Sequence, residues 1–302
     1  MQKVMFDCDN TMGVQDKDID DGLALLYLLG REDIELIGVT TTFGNSHIDI
    51  VHQVTQHMFD MVGLSDVPLL KGAGNSGDSQ REAAHFLAEA AAKSPGEITL
   101  LATGALTNLY QAYKIDPHFF THLKQVVLMG GITAPLVING DRLEELNVSC
   151  DPEATSQVLQ SDVEVTAVTG NLCLQAFFGV KEREWLEHQQ GDVYSYILKN
   201  IVPWMQYMQK RFNLKGFFNW DTTAAVYVTH PELFADHHLR VVSTIEDLKR
   251  GYLRPGELDG NSKTVNVPRA IKDMTLFNQV IFDAWGNVTL AKNMNSHFVG
   301  NQ

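Results

Sequence analysis

The chain has 302 residues, of which 44% are hydrophobic and 20% are charged. This composition is typical of globular proteins and excludes a disordered, collagen-like or coiled-coil chain. The 23 basic and 37 acidic residues give a net charge of −14. Because such a chain repels polyanions, we expect neither a nucleic acid polymer nor an anionic membrane as its partner.

The three cysteines, Cys8, Cys150 and Cys173, are far apart and form no C-x-x-C pair. An odd and dispersed set argues against a disulfide framework or a zinc knuckle and favours a reducing compartment. Asp7 interrupts the first apolar residues, and no apolar run reaches the 18 residues of a membrane span. We therefore expect a cytoplasmic protein that is neither exported nor membrane-bound.

Short apolar runs alternate with segments of helical periodicity along most of the chain. This pattern predicts strands at 4–6, 34–40, 67–70, 98–101, 126–129 and 163–168. It predicts helices at 19–29, 48–62, 81–92, 193–212 and 274–291, the fourth within a mainly helical region at 182–229, and a polar loop at 254–263. We therefore predict a single domain spanning residues 1–302, with a Rossmann-like α/β fold: an open, mostly parallel sheet with helices on both faces.

Six carboxylates lie within fifteen residues around the end of the first predicted strand: Asp7, Asp9, Asp16, Asp18, Asp20 and Asp21. So much like charge needs either a cation or open water. Ligands of open α/β folds bind at the carboxyl edge of the sheet, where this segment is expected to lie. Asp20 and Asp21 would occupy the first turn of a helix, where the backbone amides favour negative charge. We interpret Asp16 and Asp18 as solvated or helix-capping side chains.

The segment Asp7-Cys8-Asp9-Asn10-Thr11 resembles two families. In haloacid-dehalogenase-type phosphatases the first Asp of such a motif is the nucleophile and the second is the acid/base. The inosine-uridine nucleoside hydrolases open with Asp-x-Asp-Pro-Gly-x-Asp-Asp, which Asp7, Asp9, Asp20 and Asp21 match, although residues 10–19 replace a spacer of three residues. The opening motif alone leaves both families open.

Five further blocks, in the order of the hydrolase family, decide between them. They are Thr40-Thr41-Thr42-Phe43-Gly44-Asn45, the segments 103–109 and 127–131, Glu145-Leu146-Asn147 with Asp151-Pro152-Glu153-Ala154, and Trp220-Asp221. Six ordered blocks are much more specific than one short motif. The chain therefore resembles the nucleoside hydrolases.

This resemblance implies a metal-dependent enzyme that hydrolyses ribonucleosides to ribose and free base. By the family's pattern, one Ca²⁺ per subunit is held by Asp9, Asp21, Asp221 and the backbone carbonyl of Thr103, and oxygen ligands of this kind suit calcium. Asp9 is also implied as the general base that takes a proton from water. The ribose hydroxyls are assigned to Asp20, Asn45, Asn139, Glu145 and Asn147, while Asp7 would orient Asp9 and Met129 would lie beneath the sugar.

The residue before the last metal-binding Asp departs from the commonest pattern of the family. Many members carry a His there that protonates the leaving base, whereas this chain has Trp220. In purine-preferring relatives a Trp stacks on the base, which favours protonation of the ring by delocalising its charge. We therefore expect purine nucleosides as substrates, with Phe217 and Phe218 completing an aromatic wall. We expect His85 on the surface or in the core.

Two alternatives to the hydrolase stay open. One is a phosphatase that uses Asp7 and Asp9. The other is a catalytically silent riboside-binding protein, suggested by the long first loop and by the missing His. The resemblance also implies a homodimer or homotetramer, because members of the family commonly form them.

Overall fold

A computed structural model describes residues 1–257 and 263–291. Its strands are β1 (Gln2–Cys8), β2 (Ile34–Thr41), β3 (Leu69–Lys71), β4 (Ile98–Ala102), β5 (Gln125–Met129), β6 (Leu136–Ile138), β7 (Asp141–Leu143), β8 (Val165–Val168), β9 (Phe177–Phe178), β10 (Phe217–Phe218), β11 (His238–Val241), β12 (Pro255–Gly256) and β13 (Val265–Asn266). Its α-helices are α1 (Asp20–Leu29), α2 (Ile48–Val62), α3 (Glu82–Lys93), α4 (Thr107–Ile115), α5 (Phe119–His122), α6 (Asn147–Cys150), α7 (Pro152–Leu159), α8 (Gly170–Cys173), α9 (Val180–Glu187), α10 (Asp192–Phe212), α11 (Trp220–Thr229), α12 (Ile245–Leu248) and α13 (Met274–Asn287).

The central sheet has nine strands in the order β12-β11-β13-β8-β5-β4-β1-β2-β3. The strands from β13 to β3 run parallel, while β11 and β12 are antiparallel at one edge. β1 lies near the middle, with Asp7 opposite Thr40 of β2 and Ala102 of β4. The predicted fold class is therefore confirmed, and the residues that follow β1, β4 and β5 meet at one edge of the sheet.

The strands bury side chains on both faces, as expected for a parallel sheet covered by helices on each side. In β1, Phe6 belongs to the core beneath α1, α10, α11 and α13, whereas Met5 belongs to the core beneath α3, α4 and α7. Neighbouring residues of β4 alternate in the same way, with Leu101 in the first core and Leu100 in the second. This alternation follows from the period of two residues along a strand.

The inserted loop of residues 10–19 folds back onto the domain. Asn10 is buried, and its amide donates to Met58 Sδ at 3.1 Å on α2. Met12 packs over Gly22 so closely that a Cβ at Gly22 would overlap the Met12 side chain. Thr11 Oγ1 donates to the carbonyl oxygen of Asp18 at 2.7 Å. The loop therefore presents Asp18 at a defined place beside the start of α1.

The predicted elements lie where the apolar periodicity places them, but the shortest strands could not be predicted in this way. Strands of two or three residues, such as β6, β7, β12 and β13, are too short to show a period. The last helix ends at Asn287 instead of 291. The loop predicted at 254–263 contains β12, and its residues 258–262 lie outside the described residues. Within the part of the chain that the structure describes, no helix has the length and apolar character needed to cross a membrane.

Candidate active site

A cavity of about 210 Å³ opens at the carboxyl edge of the sheet. Its acidic lining consists of Asp18, Asp20, Glu144, Glu145 and Asp221, and the described lining residues include no Lys, Arg or His. Five carboxylates without a cationic side chain among them favour a cation as ligand. The cavity is thus the candidate functional site.

Three carboxylates beside the cavity come from the first turns of two helices that pack against each other, and two of them, Asp20 and Asp221, line it. Asp20 and Asp21 begin α1, and Asp221 lies in the first turn of α11. They offer ligand oxygens that all lie within 4.8 Å of one another. The backbone amide of Asp221 donates to Asp20 Oδ2 at 3.1 Å, which ties the two helix ends together. Residues two hundred positions apart therefore form one compact oxygen cluster.

Thr103, directly after β4, contacts this cluster through Asp21. Its hydroxyl donates to Asp21 Oδ1 at 2.6 Å, while the other oxygen of Asp21, Oδ2, is buried and accepts no hydrogen bond from the described residues. A buried carboxylate oxygen without a partner is costly, so Oδ2 is an available ligand for a hard divalent cation. The residues present therefore fit a metal ion.

Burial and mutual repulsion perturb all three carboxyl groups. Burial raises the pKa of Asp21 well above its usual value, and the charge of Asp9 adds to this rise. Burial also raises the pKa of Asp221 well above its usual value, with the charge of Asp20 as the next cause, and it raises the pKa of Asp20. A bound cation would favour the charged forms and reverse these shifts.

Asp9 lies beside this cluster and is fully buried. Its two oxygens accept hydrogen bonds from Asn45, Oδ2 from the backbone amide at 2.6 Å and Oδ1 from the side-chain amide at 3.1 Å. Burial raises the pKa of Asp9 to about 7. The structure brings Asp9 against Asp21 but does not place it among the residues that line the cavity. The compact oxygen cluster contains Asp20 where the resemblance implied Asp9.

Asp7 is held by hydrogen bonds from β2 and α4. Its Oδ1 accepts hydrogen bonds from the Thr40 hydroxyl and from Asn108 Nδ2, the latter at 2.7 Å. Burial raises the pKa of Asp7 to about 7. Its hydrogen bonds tie β1 to β2 and α4, and Asp7 does not line the cavity. This placement favours a supporting role and gives no sign of the exposed nucleophile that a phosphatase needs.

Gly44 allows Asn45 to reach Asp9. Its φ is +156°, and a Cβ at this position would overlap Asp9 Oδ2. We expect Gly44→Ala to lower the free energy of unfolding by about 1–3 kcal/mol, because both the backbone and the carboxylate would be strained. Chemical denaturation measures this change.

The matched control is Gly96→Ala, since Gly96 has φ +75° but nothing within 4 Å of the added Cβ. It carries the backbone cost without the overlap, so it is expected to destabilise less. Equal losses for the two variants would contradict a tight contact between Gly44 and Asp9.

Asn147 and Glu145 form the wall of the cavity next to β5. Asn147 Nδ2 donates to the carbonyl oxygens of Thr103 at 2.8 Å and Met129 at 3.1 Å, which leaves Oδ1 for a ligand. Glu145 accepts three backbone hydrogen bonds, from Gly131 and Val148 at Oε1 and from Ser149 at Oε2. Met129 ends β5 and lines the cavity. Glu145 is thus held rigidly by the backbone around it.

Asn139 lies apart from the cavity lining. The segment between Met129 and Asn147 forms the hairpin of β6 and β7, and Asn139 stands in its turn with φ +50°. Its side-chain amide is exposed and donates to the carbonyl oxygens of Phe212 and Asn213 at the end of α10. These hydrogen bonds hold the amide of Asn139 at the end of α10, so the placement does not support a ribose contact.

Of the three aromatic residues Phe217, Phe218 and Trp220, only Trp220 lines the cavity. Phe218 packs against its ring at 5.3 Å between centroids, at an angle of 52°. Phe217 is fully buried and stacks on Phe178, so it belongs to the core. The expected wall of three aromatic rings is therefore reduced to Trp220 with Phe218 behind it. His85 is exposed on α3.

Sequence reasoning missed part of the cavity wall. Leu136, Leu143 and Leu146, from the hairpin of β6 and β7 and the segment after it, give the cavity an apolar side. The hairpin strands are only three residues long, although Asn139-Gly140 was a readable turn signal. Asp18, interpreted as a solvated or capping residue, accepts from the amide of Ile19 at 2.7 Å and also lines the cavity.

Comparisons with known proteins agree with this geometry. A model of the family described as inosine-uridine preferring nucleoside hydrolase matches residues 4–278. A probable uridine nucleosidase 2 from Arabidopsis thaliana is 28% identical over 250 residues, covering 72% of this chain and 77% of its own length. The inosine-uridine preferring nucleoside hydrolase of Crithidia fasciculata is 25% identical over 269 residues, covering 80% and 82%.

Solved structures share the fold over almost the whole chain. A purine-preferring ribonucleoside hydrolase from Gardnerella vaginalis superposes with a TM-score of 0.82 at 22% identity, covering 95% of this chain and 99% of that one. The resemblance deduced from the six sequence blocks is confirmed by the family match, which excludes the phosphatase alternative. The chain belongs to the inosine-uridine preferring nucleoside hydrolases.

Proposed function

We propose that the protein hydrolyses the N-glycosidic bond of ribonucleosides to ribose and free base, prefers purine nucleosides, and uses one Ca²⁺ per subunit. The observation that carries this proposal is that the carboxylates of Asp20 and Asp221 and the side chain of Trp220 line one cavity. A nucleoside consists of a sugar and a flat base. The oxygen ligands of the cavity would hold the sugar, and the aromatic ring would stack on the base.

The metal would be held by Asp21, Asp221, the Thr103 carbonyl and Asp9. Calcium takes six to eight oxygen ligands, and these groups can supply most of them. When bound, the ion would supply charge stabilisation and lower the pKa of water. Asp20 has one oxygen engaged by the amide of Asp221, and its second oxygen is assigned to a ribose hydroxyl. The buried Oδ2 of Asp21 supports this ligand set.

Asp9 would take the proton of the attacking water. N-ribosides react through an oxocarbenium-like transition state, so a water must be deprotonated beside the anomeric carbon. Burial raises the pKa of Asp9 to about 7, a bound cation would lower it again and keep the carboxylate charged, and a charged carboxylate can take a proton from water that the ion has made more acidic. Both hydrogen bonds from Asn45 fix the orientation of the carboxylate. Asp7 would act indirectly, by fixing the end of β1.

The ribose would lie among Asp20, Asn45, Glu145 and Asn147. All four line the cavity, and Met129 lies on the same wall. Short polar side chains held by the backbone suit hydroxyl recognition, because they lose little freedom on binding. Asn139 is left out of this assignment because its amide is bound to α10.

Trp220 would stack on the base and favour purines. A bicyclic base overlaps more of an indole ring than a pyrimidine does, so stacking gives it more stabilisation. We expect Trp220→Ala to lower kcat/KM for inosine by about tenfold more than for uridine, because aromatic stacking contributes about 0.5–1.5 kcal/mol beyond area burial.

Initial rates of base release from inosine and uridine measure this ratio. The neighbouring variant Phe218→Leu is the control, since Phe218 supports Trp220 without lining the cavity. An inosine-to-uridine ratio that is the same in Trp220→Ala and in the unmodified protein would refute the stacking role.

The experiment that tests the proposed function is a panel of inosine, adenosine, guanosine, uridine and cytidine, assayed for released reducing sugar with calcium. We expect release from purine nucleosides above that from pyrimidines. Tight nucleoside binding by calorimetry with no sugar released would instead favour the silent riboside-binding protein.

From the family resemblance we further propose a homodimer or homotetramer located in the cytoplasm. Light scattering during gel filtration tests the first point, since a monomer at micromolar concentration would contradict it. Fractionation of cells that express the protein tests the second.

A further inference from the structure

A second cavity, of about 240 Å³, opens at the same edge of the sheet. Helix α8 contributes to both cavities, since Gly170 lines the first and Asn171 and Leu172 line the second. The other walls come from the ends of β8, β11 and β13. The second cavity therefore lies in the region where open α/β sheets bind ligands, but its lining residues differ from those of the candidate active site.

The second cavity differs sharply in charge from the first. Arg269 and His237 line it, and its described lining includes no Asp or Glu. The whole chain carries a net charge of −14, and the first cavity has five acidic side chains. In so acidic a protein, a cavity with a guanidinium and without a carboxylate in its described lining favours an anion as ligand.

The backbone that carries Arg269 and His237 is fixed by hydrogen bonds. His237 donates its backbone amide to Asn266 Oδ1 at 3.0 Å, and its carbonyl accepts from Val267 at 2.8 Å. The backbone amide of Arg269 donates to the carbonyl of Ala235 at 2.9 Å. These bonds extend the pairing of β11 with β13, so both residues stand at defined positions beside the cavity.

The donors of the second cavity are only partly used. Arg269 Nη2 donates to His237 Nε2, which leaves the other N–H groups of the guanidinium for a ligand. The Thr169 hydroxyl accepts from the amide of Leu172, and its own proton remains available to an acceptor. The opposite wall is apolar and contains Leu239 and Val267.

We propose that the second cavity is a binding site for a small organic anion, whose oxyanion pairs with Arg269 and whose apolar body packs on Leu239 and Val267. A planar guanidinium pairs with a carboxylate or a tetrahedral oxyanion through two parallel hydrogen bonds. Thr169 adds a neutral donor from the floor of the cavity. This site is independent of the nucleoside hydrolase activity.

Titration calorimetry on the calcium-loaded protein tests the proposal with benzoate as the probe and benzyl alcohol as its neutral counterpart. We expect saturable benzoate binding and at least about tenfold weaker binding of benzyl alcohol, because charge-assisted hydrogen bonds are lost.

Arg269→Gln is expected to weaken benzoate binding at least about tenfold, while Lys215→Gln, which removes an exposed charge outside the cavity, leaves it unchanged. Arg269→Lys keeps the charge without the planar guanidinium, so its benzoate affinity is expected to lie between those of the unmodified protein and Arg269→Gln. It replaces Arg269→Gln in the test if that variant does not fold. Asp221→Asn, which alters the first cavity, should bind benzoate normally. Unchanged affinity in Arg269→Gln, equal binding of benzyl alcohol, or loss of binding in Asp221→Asn would overturn the proposal.

Discussion

An Asp221→Asn variant is expected to lose about 10³-fold or more of kcat/KM towards nucleosides. Asp221 contributes one oxygen of the compact cluster and, through its backbone amide, holds Asp20 in place. Replacing one charged ligand by a neutral amide weakens the bound cation and removes several kcal/mol of transition-state stabilisation. Initial rates of ribose release, together with calcium affinity from calorimetry, measure both effects.

Asp16→Asn is the matched control for this variant. Asp16 is exposed in the inserted loop and is not part of the cavity lining, and its φ of +57° suits asparagine well. This variant also removes one negative charge, but from an exposed loop position outside the cavity, so it should keep both turnover and calcium affinity. Equal losses in the two variants would mean that net charge, and not a ligand, was responsible.

An Asp9→Asn variant is expected to lower kcat by about 10²–10⁴-fold at saturating calcium, the range typical of a lost general base. A saturating calcium concentration compensates for a weakened affinity for calcium, so the remaining loss of kcat reports on proton transfer. Because Asp9 accepts two hydrogen bonds from Asn45, the melting temperature must be checked alongside the rates.

Asn45→Ala provides a second test of the same carboxylate. It removes the side-chain hydrogen bond but keeps the one from the backbone amide, so it should lower kcat less than Asp9→Asn does. Near-normal kcat in Asp9→Asn with saturating calcium would show that another group takes the proton. That result would leave the metal site intact but would remove Asp9 as the base.

The family resemblance predicted Asp21 and Asp221 as metal ligands, whereas Asp20, the third residue of the oxygen cluster, was predicted to bind ribose. Asp20, Asp21 and Asp221 each occupy the first turn of a helix that packs at the carboxyl edge, so motif and topology agree. Thr103 was predicted only through its carbonyl. The hydrogen bond of its hydroxyl to Asp21 depends on a tertiary contact that no local pattern encodes.

The directions of the Asn139 and Phe217 side chains could not be predicted from the sequence. Asn139 matches a motif by spacing, but it stands in a tight turn and its amide binds the end of α10. Phe217 and Phe218 are neighbours in a strand, so they face opposite sides, and Phe217 joins the core. Which of the two supports Trp220 requires the register of β10 against β9.

The C-terminal part of the sheet could not be predicted from the sequence either. β11, β12 and β13 have four, two and two residues, which is too short for an alternation to be recognised. They extend the parallel sheet by an antiparallel edge and create the walls of the second cavity. The longer central strands were predicted correctly because their apolar runs are bounded by clear helix signals.

The central claim is that a divalent cation held by carboxylates from α1 and α11 is required for the cleavage of nucleosides. The most direct measurement is the rate of ribose release from inosine as free calcium is lowered with a chelator and then restored. We expect activity to disappear with the chelator, to return on addition of calcium, and to require much more calcium in Asp221→Asn. Full activity in the thoroughly chelated protein would contradict the claim.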